Sequence, residues 1–98
     1  MNYKDKKINL LLNSFIKIDS IEESKSFIRD LMTESEITEL SNRLYAAILL
    51  SDGITYKKIE KETSLSSRTI ARISYWLKNG NLGYQSIINK IHPPHIIG

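Results

Sequence analysis

Apolar residues recur at helical spacing through almost the whole chain, and successive helix caps leave very little linker between the segments. The first apolar stripe has the i, i+3, i+4, i+7 spacing of an amphipathic helix, and its members are Ile8, Leu11, Leu12 and Phe15. This stripe predicts a helix from about residue 3 to residue 18. No segment shows a sustained strand pattern, and the chain has no internal repeat. We therefore expect an all-α fold of six helices.

Two capping boxes and one glycine place the next two helices. Ser20 is followed at the third position by Glu23, which predicts the start of the second helix. Thr33 and Glu36 repeat this pattern and predict the start of the third helix. Gly53 is expected to end the third helix, because glycine takes the left-handed conformation there without strain.

Three shorter helices are expected in the second half of the chain, over about residues 56–62, 66–79 and 84–91. Residues 79–83 separate the last two helices, because this cluster is rich in glycine and asparagine. Pro93 and Pro94 stop the last helix, and we expect a loose tail after it. His92 and His95 flank these prolines, so both side chains are expected to be exposed to solvent and not bound to a metal.

A chain of 98 residues is long enough for one small domain, residues 1–98, with a limited core. If its helices form an elongated array, a partner subunit is needed to complete that core. The absence of cysteine excludes disulfides and thiolate metal sites. The longest apolar run, YAAILL, is too short to cross a bilayer, and no signal-peptide cleavage pattern follows the first lysines. We therefore expect a cytoplasmic protein that does not contact a membrane.

Charge is distributed unequally along the chain. Residues 1–50 contain seven Lys or Arg and eight Asp or Glu, a net charge of −1. Residues 51–98 contain seven Lys or Arg and three Asp or Glu, a net charge of +4. A basic half beside a neutral half suggests that the partner is a polyanion such as nucleic acid.

Residues 55–77 have the form of a helix-turn-helix, in which two short helices pack at a steep angle across a tight turn. Such a pair needs only a few apolar anchors, which here are Ile59, Leu65, Ile70 and Ile73. The outer face of the second helix is then free to enter the major groove of DNA, where its N-terminal residues meet base edges.

The residues predicted to contact DNA fall into two groups. Ser67, Arg68 and Thr69 are expected to read bases. Lysines of the first helix, together with Arg72, are expected to hold phosphates. The complete predicted set is Lys57, Lys58, Lys61, Ser66, Ser67, Arg68, Thr69, Ala71 and Arg72.

Three other interpretations fit the same residues. The segment could be an ordinary helix pair, because Ser64 stands where the turn usually has glycine and Glu60 where many such motifs have a small residue. The protein could be a protein-interaction adaptor that has lost DNA binding, which the missing glycine favours. It could be the DNA-binding part of a transposase or recombinase, although the chain contains no catalytic domain. An enzyme is not expected, because there is no cysteine nucleophile, no histidine in a predicted core element and no glycine-rich phosphate loop.

Three motifs follow one another in the second half of the chain: RLYAAILLSDG, an arginine-containing apolar helix that ends in glycine, then SRTIAR, then LKNGNLGY. Together they resemble the Trp repressor family, and especially its YerC/YecD-type regulators, over roughly residues 10–91. The resemblance implies an intertwined, all-helical homodimer that binds double-stranded DNA as a transcriptional repressor. Its helix-turn-helix would span about residues 55–79, and its dimerisation core about residues 4–52 and 84–91. The two recognition helices would then lie about one DNA turn, roughly 34 Å, apart.

The resemblance also suggests a site for a small effector. In the family two arginines and a threonine hold tryptophan, and by position these are Arg43, Arg72 and Thr33. Members that bind tryptophan have glycine after the second arginine, whereas this chain has Ile73, whose side chain would fill the space for the indole. We therefore expect a different effector or none. Thr33 would then serve as a helix cap, and Arg43 would pair with a glutamate on its own helix.

Overall fold

The computed structural model describes residues 1–92, and within them the chain forms six α-helices and no strand. The helices are α1 (Lys6–Lys17), α2 (Ile21–Leu31), α3 (Glu34–Ser51), α4 (Tyr56–Thr63), α5 (Ser67–Asn79) and α6 (Gly83–Ile91). The predicted all-α fold is confirmed, and each predicted helix is present. Along these described residues, no helix has the length and apolar character that crossing a membrane requires. The predicted tail beyond His92, including His95, lies outside the described residues.

Local capping explains where the second and third helices begin. The hydroxyl oxygen of Ser20 accepts a hydrogen bond from the N–H of Glu23 at 3.1 Å, ahead of α2. Before α3, the N–H of Glu36 donates to Thr33 Oγ1 at 3.1 Å, and the N–H of Thr33 donates to Glu36 Oε1 at 3.0 Å. The second capping box is therefore complete in both directions. Gly53 follows α3 with φ of +80°, the left-handed conformation predicted for it.

The chain divides into two compact units, residues 1–37 and the residues from 38 onward. The first unit contains α1, α2 and the beginning of α3. Neither α1 nor α2 contains a buried residue. Large apolar side chains are left open to solvent, with exposed fractions of 77% for Ile16 and 75% for Ile21. The first unit therefore does not cover its own apolar faces.

The second unit has a small apolar core to which four helices contribute. Its buried members are Ala46 and Ala47 from α3, Ile59 from α4, Ile70 and Ile73 from α5, and Ile88 from α6. Helix α5 packs against both α4 and α6. Leu65, between α4 and α5, is partly buried against this core, as the sequence predicts. The core therefore holds α4 and α5 together as one pair.

A polar contact joins the end of α6 to the end of α3. Nε2 of His92 lies 3.0 Å from Oδ2 of Asp52, although the two residues are 40 positions apart. The side chain of His92 is 34% exposed. The expectation that His92 is exposed to solvent therefore holds only in part, because it considered the neighbouring prolines and not a partner far away in the chain.

Candidate nucleic-acid interface

The first helix of the α4–α5 pair is capped at one end and anchored in the middle. Thr55 Oγ1 accepts the N–H of Lys58 at 3.3 Å, which fixes the start of α4. Ile59 has no exposed surface, and Thr63 Oγ1 donates to the carbonyl oxygen of Ile59 at 2.7 Å. The chain then turns at Ser64, whose φ of 60° and ψ of 13° are left-handed. Serine thus takes the conformation that glycine usually provides in this turn.

The second helix, α5, has one face in the core and the opposite face free. The hydroxyl oxygen of Ser66 accepts the N–H of Thr69 at 3.1 Å and so caps the start of the helix. The residues of α5 that the core buries are Ile70, Ile73 and Ser74. Because an α-helix turns by about 100° per residue, Arg68 and Arg72 lie on the side opposite Ile70. Both arginines are exposed.

The four arginines of the chain differ in whether a carboxylate neutralises them. Arg29 and Arg43 each lie against a glutamate, with N–O distances of 3.7 and 2.9 Å. Arg68 and Arg72 make no ion pair anywhere in residues 1–92. Two unpaired guanidiniums, one helical turn apart on the outer face of α5, are therefore available to an anion such as a phosphate or to an acceptor such as a base edge.

Lysines add positive charge on α4. Lys57, Lys58 and Lys61 are exposed, and none of them has an ion-pair partner in the described part of the chain. Lys57 and Lys61 are one turn apart and point away from the buried Ile59. Two glutamates on the same helix leave α4 with a net charge of +1, whereas α5 has no acidic residue and a net charge of +3. Most of the excess positive charge of the pair therefore lies on α5.

The predicted contact residues lie in two different environments. Eight of the nine are exposed, and seven of these lie outside the cap of α5: Lys57, Lys58, Lys61, Ser67, Arg68, Ala71 and Arg72. The other two are occupied within the helix cap, because the hydroxyl of Ser66 also lies 3.0 Å from Thr69 Oγ1. Thr69 is in addition partly buried. The seven residues outside the cap are therefore free for an external ligand, and Ser66 and Thr69 shape the start of α5.

The outer face of α5 extends beyond the predicted set. Tyr75 is 58% exposed and continues the line of Arg68 and Arg72 along the helix. Trp76 beside it is 52% exposed, and the two rings meet edge to face with centroids 5.6 Å apart. The positions 68, 72 and 75 have the i, i+4, i+7 spacing, and this is the signal by which Tyr75 could be found in the sequence.

Thr33, the first of the three candidate effector residues, has a complete local role. It is the cap of α3 and the hydrogen-bond partner of Glu36. Hydrogen bonds from its backbone N–H and then from its hydroxyl hold the pKa of Glu36 below the ordinary value of 4.5, because they favour the charged carboxylate. The expected capping role of Thr33 is therefore confirmed, whereas its effector role stays a prediction.

Arg43 and Arg72, the other two candidates, differ in their surroundings. Arg43 Nη2 donates to Glu39 Oε1 at 2.9 Å, which confirms the expected pairing on its own helix. Arg72 is exposed on α5. Ile73, directly after it, is only 4% exposed and belongs to the apolar core. The interior beside Arg72 is thus filled by a side chain of the protein itself.

Comparison with known proteins places this arrangement in a family. The family model described as Trp repressor protein matches residues 6–92. YerC of Bacillus subtilis strain 168, described as an uncharacterized protein, is 38% identical over 88 residues, which cover 90% of this chain and 85% of YerC.

Two solved structures share the fold. A TrpR-like protein from Eubacterium eligens ATCC 27750 superimposes with a TM-score of 0.87 at 28% identity, over 95% of this chain and 96% of the other. A candidate Trp repressor from Staphylococcus aureus superimposes with a TM-score of 0.85 at 32% identity, over 94% of this chain and 92% of the other. The match thus extends from α1 to α6 and includes the α4–α5 pair. The chain belongs to the Trp repressor family.

Proposed function

We propose that this protein is a sequence-specific DNA-binding transcriptional regulator, a repressor that acts as a homodimer and blocks a promoter by occupying it. The observation that carries this proposal is the outer face of α5. There Arg68 and Arg72 are exposed and unpaired on a helix whose opposite face is fixed in an apolar core. Membership of a family of repressors supports the same function.

The dimensions and charges of the α4–α5 pair suit duplex DNA. An α-helix with its side chains is about 10–12 Å across, and the major groove is about 12 Å wide. Helix α5 can enter the groove without leaving the core, because only its inner face is buried. The first helix of such a motif crosses the DNA backbone, where Lys57 and Lys61 would meet phosphates.

An adaptor that has lost DNA binding is the alternative function. The sequence favours it through Ser64, which replaces the usual glycine of the turn. Ser64 nevertheless takes the left-handed conformation, and the core between α4 and α5 is closed around Ile59 and Ile70. The replacement of glycine therefore does not argue against a working helix-turn-helix, and the alternative is decided by the binding experiment below.

The homodimer is inferred from the apolar faces of the first unit. Phe15, Ile16 and Ile21 belong to helices that bury no residue in the single chain. Exposed apolar surface on this scale marks an interaction site in a soluble protein. A second copy presents the same faces and can cover them in a two-fold symmetric interface. Two recognition helices about one DNA turn, roughly 34 Å, apart would then read a near-palindromic operator.

DNA binding is tested by measuring affinity for mixed genomic fragments over a range of salt concentrations. The logarithm of the binding constant should fall linearly with the logarithm of salt, by about 0.9 for each phosphate that a lysine or arginine neutralises. Lys57→Ala and Lys61→Ala should each weaken binding to all sequences alike and lower this slope by about 1 per contact. Lys25→Ala is the matched control, because Lys25 belongs to the first unit and lies 4.0 Å from Glu22.

Two outcomes would overturn these proposals. If the protein has no measurable affinity for DNA even at low salt, the regulator function is wrong and the adaptor is favoured. If sedimentation finds only monomers at the concentrations at which DNA is bound, the homodimer is wrong.

A further inference from the structure

Two polar residues at the start of α5 have hydroxyl groups that are already hydrogen-bonded within the protein. Ser66 and Thr69 are committed to the start of the helix, since the hydroxyl of Ser66 lies 3.1 Å from the N–H and 3.0 Å from Oγ1 of Thr69. Turning the hydroxyl of Ser66 toward a base would leave the helix uncapped, and turning that of Thr69 would break its hydrogen bond with Ser66. These two residues therefore position α5, and the reading of bases falls to the exposed residues around them.

Arg68 is the exposed residue best placed to read a hydrogen-bonding pattern. It is the second residue of α5, at the end of a recognition helix that meets base edges. It makes no ion pair within residues 1–92, so no carboxylate neutralises its guanidinium. The planar guanidinium can donate two parallel hydrogen bonds to N7 and O6 of guanine. Arg72 lies about 6 Å further from this end of the helix, where a phosphate contact is expected.

Ala71 provides an exposed methyl group on the same side of α5. It stands three residues after Arg68, so the two side chains are neighbours on the helix surface. An alanine side chain has no polar atom, and its contact with a base must therefore be apolar. In the major groove the apolar group is the C5-methyl of thymine, because the polar groups of the base edges there donate or accept hydrogen bonds.

We propose, on the basis of the DNA-binding function above, that each half of the operator contains a G·C pair read by Arg68 and a nearby A·T pair whose thymine methyl contacts Ala71. Three residues advance about 4.5 Å along the helix axis, and successive base pairs are about 3.4 Å apart. The two base pairs are therefore separated by one or two steps. Arg68 and Ala71 are the specificity-determining pair of α5.

The test changes single groups of the DNA and begins with a fragment that the protein selects from random sequences. Replacing the guanine with 7-deazaguanine removes the N7 acceptor but keeps O6, so it should weaken binding measurably, by less than the roughly 5- to 150-fold that losing the whole bidentate contact would cost. Replacing the thymine with deoxyuridine removes only its methyl group and should weaken binding about fourfold, as expected for one apolar carbon. The same replacements elsewhere in the half-site are the control and should have little effect.

Two protein variants assign each effect to its residue. Arg68→Ala removes the guanidinium and with it both hydrogen bonds to the guanine, so 7-deazaguanine should no longer weaken binding. Ala71→Gly removes the methyl group, so deoxyuridine should no longer weaken binding. Circular dichroism and thermal unfolding of both variants, beside those of the wild type, verify that α5 is intact.

The outcomes separate this inference from the proposed function. If the selected half-site lacks a guanine, or if both replacements weaken binding to the variants as much as to the wild type, the assignment of Arg68 and Ala71 is wrong while DNA binding stands. If the protein selects no fragment at all, the proposed function and this inference are both wrong.

Discussion

Replacing Ser64 with glycine should stabilise the protein, because Ser64 holds a left-handed backbone between α4 and α5 with φ of 60°. An L-residue in this conformation costs roughly 1–2 kcal/mol. Glycine removes most of that cost, but it loses more backbone freedom on folding, which lowers the free energy of unfolding by roughly 0.5–1 kcal/mol. The side chain of Ser64 is exposed, so no buried contact is lost with it. The expected net gain is about 0.5–1 kcal/mol.

Thermal unfolding followed by circular dichroism can measure this gain. For a domain of this size, 1 kcal/mol shifts the Tm by about 4–8 °C, so Ser64→Gly should raise it by about 2–8 °C. Protein concentration must be held constant, because the Tm of a dimer depends on it. Ser64→Ala is the matched control: it keeps the Cβ and the strain, and it should melt no higher than the wild type.

The reverse substitution gives an independent measure of the same effect. Gly53 has φ of +80° and open space around the position that a Cβ would occupy. Gly53→Ala should therefore destabilise the protein through backbone strain alone, by roughly 1–2 kcal/mol. The claim that the α4–α5 turn is strained would be refuted by two results together. Ser64→Gly would melt at or below the temperature of the wild type, and Gly53→Ala would be clearly destabilised.

Gly80→Ala should destabilise the protein by about 1–3 kcal/mol, because the new Cβ would lie 2.5 Å from the carbonyl oxygen of Trp76; chemical unfolding followed by Trp76 fluorescence measures this. Glu36→Gln should destabilise the protein most near neutral pH, because hydrogen bonds from Thr33 lower the pKa of Glu36 below 4.5 in the folded state. The stability that the carboxylate contributes is present above its unfolded pKa and is lost as pH falls through the lowered folded pKa. If the free energies of unfolding of variant and wild type differ by the same amount even in strong acid, this assignment is wrong. L-Tryptophan should leave DNA affinity unchanged, because Ile73 is 4% exposed and fills the interior beside the recognition helix; a titration in which tryptophan tightens binding would show that this space opens.

The helices are predictable because the interactions that start them are local. The caps at Ser20, Thr33 and Ser66 join atoms within three residues of each other, so a single sequence contains the whole interaction. The contact of His92 with Asp52 is the opposite case, since 40 residues separate the partners and no pattern near His92 points to Asp52. Only the packing of α6 against the rest of the second unit brings them together.

The candidate site is predictable as a helix face but not as individual contacts. The apolar period of α5 determines that Ile70 is buried and that Arg68 faces outward. The same period gives no information about Thr69, because its χ1 rotamer decides whether the hydroxyl meets Ser66 or solvent. Only the side-chain packing of the folded protein distinguishes Thr69, which shapes the helix start, from the residues that are free to bind.

The core beneath α5 includes Ile88, which belongs to α6 and is therefore synthesised after both α4 and α5. The ribosome therefore synthesises both helices before Ile88, the side chain that completes the core between them. A peptide limited to residues 55–79 would also lack Ile88 and would expose Ile70 and Ile73 on one side. If the proposed function holds, newly made protein would accordingly bind DNA only after α6 has packed against α5.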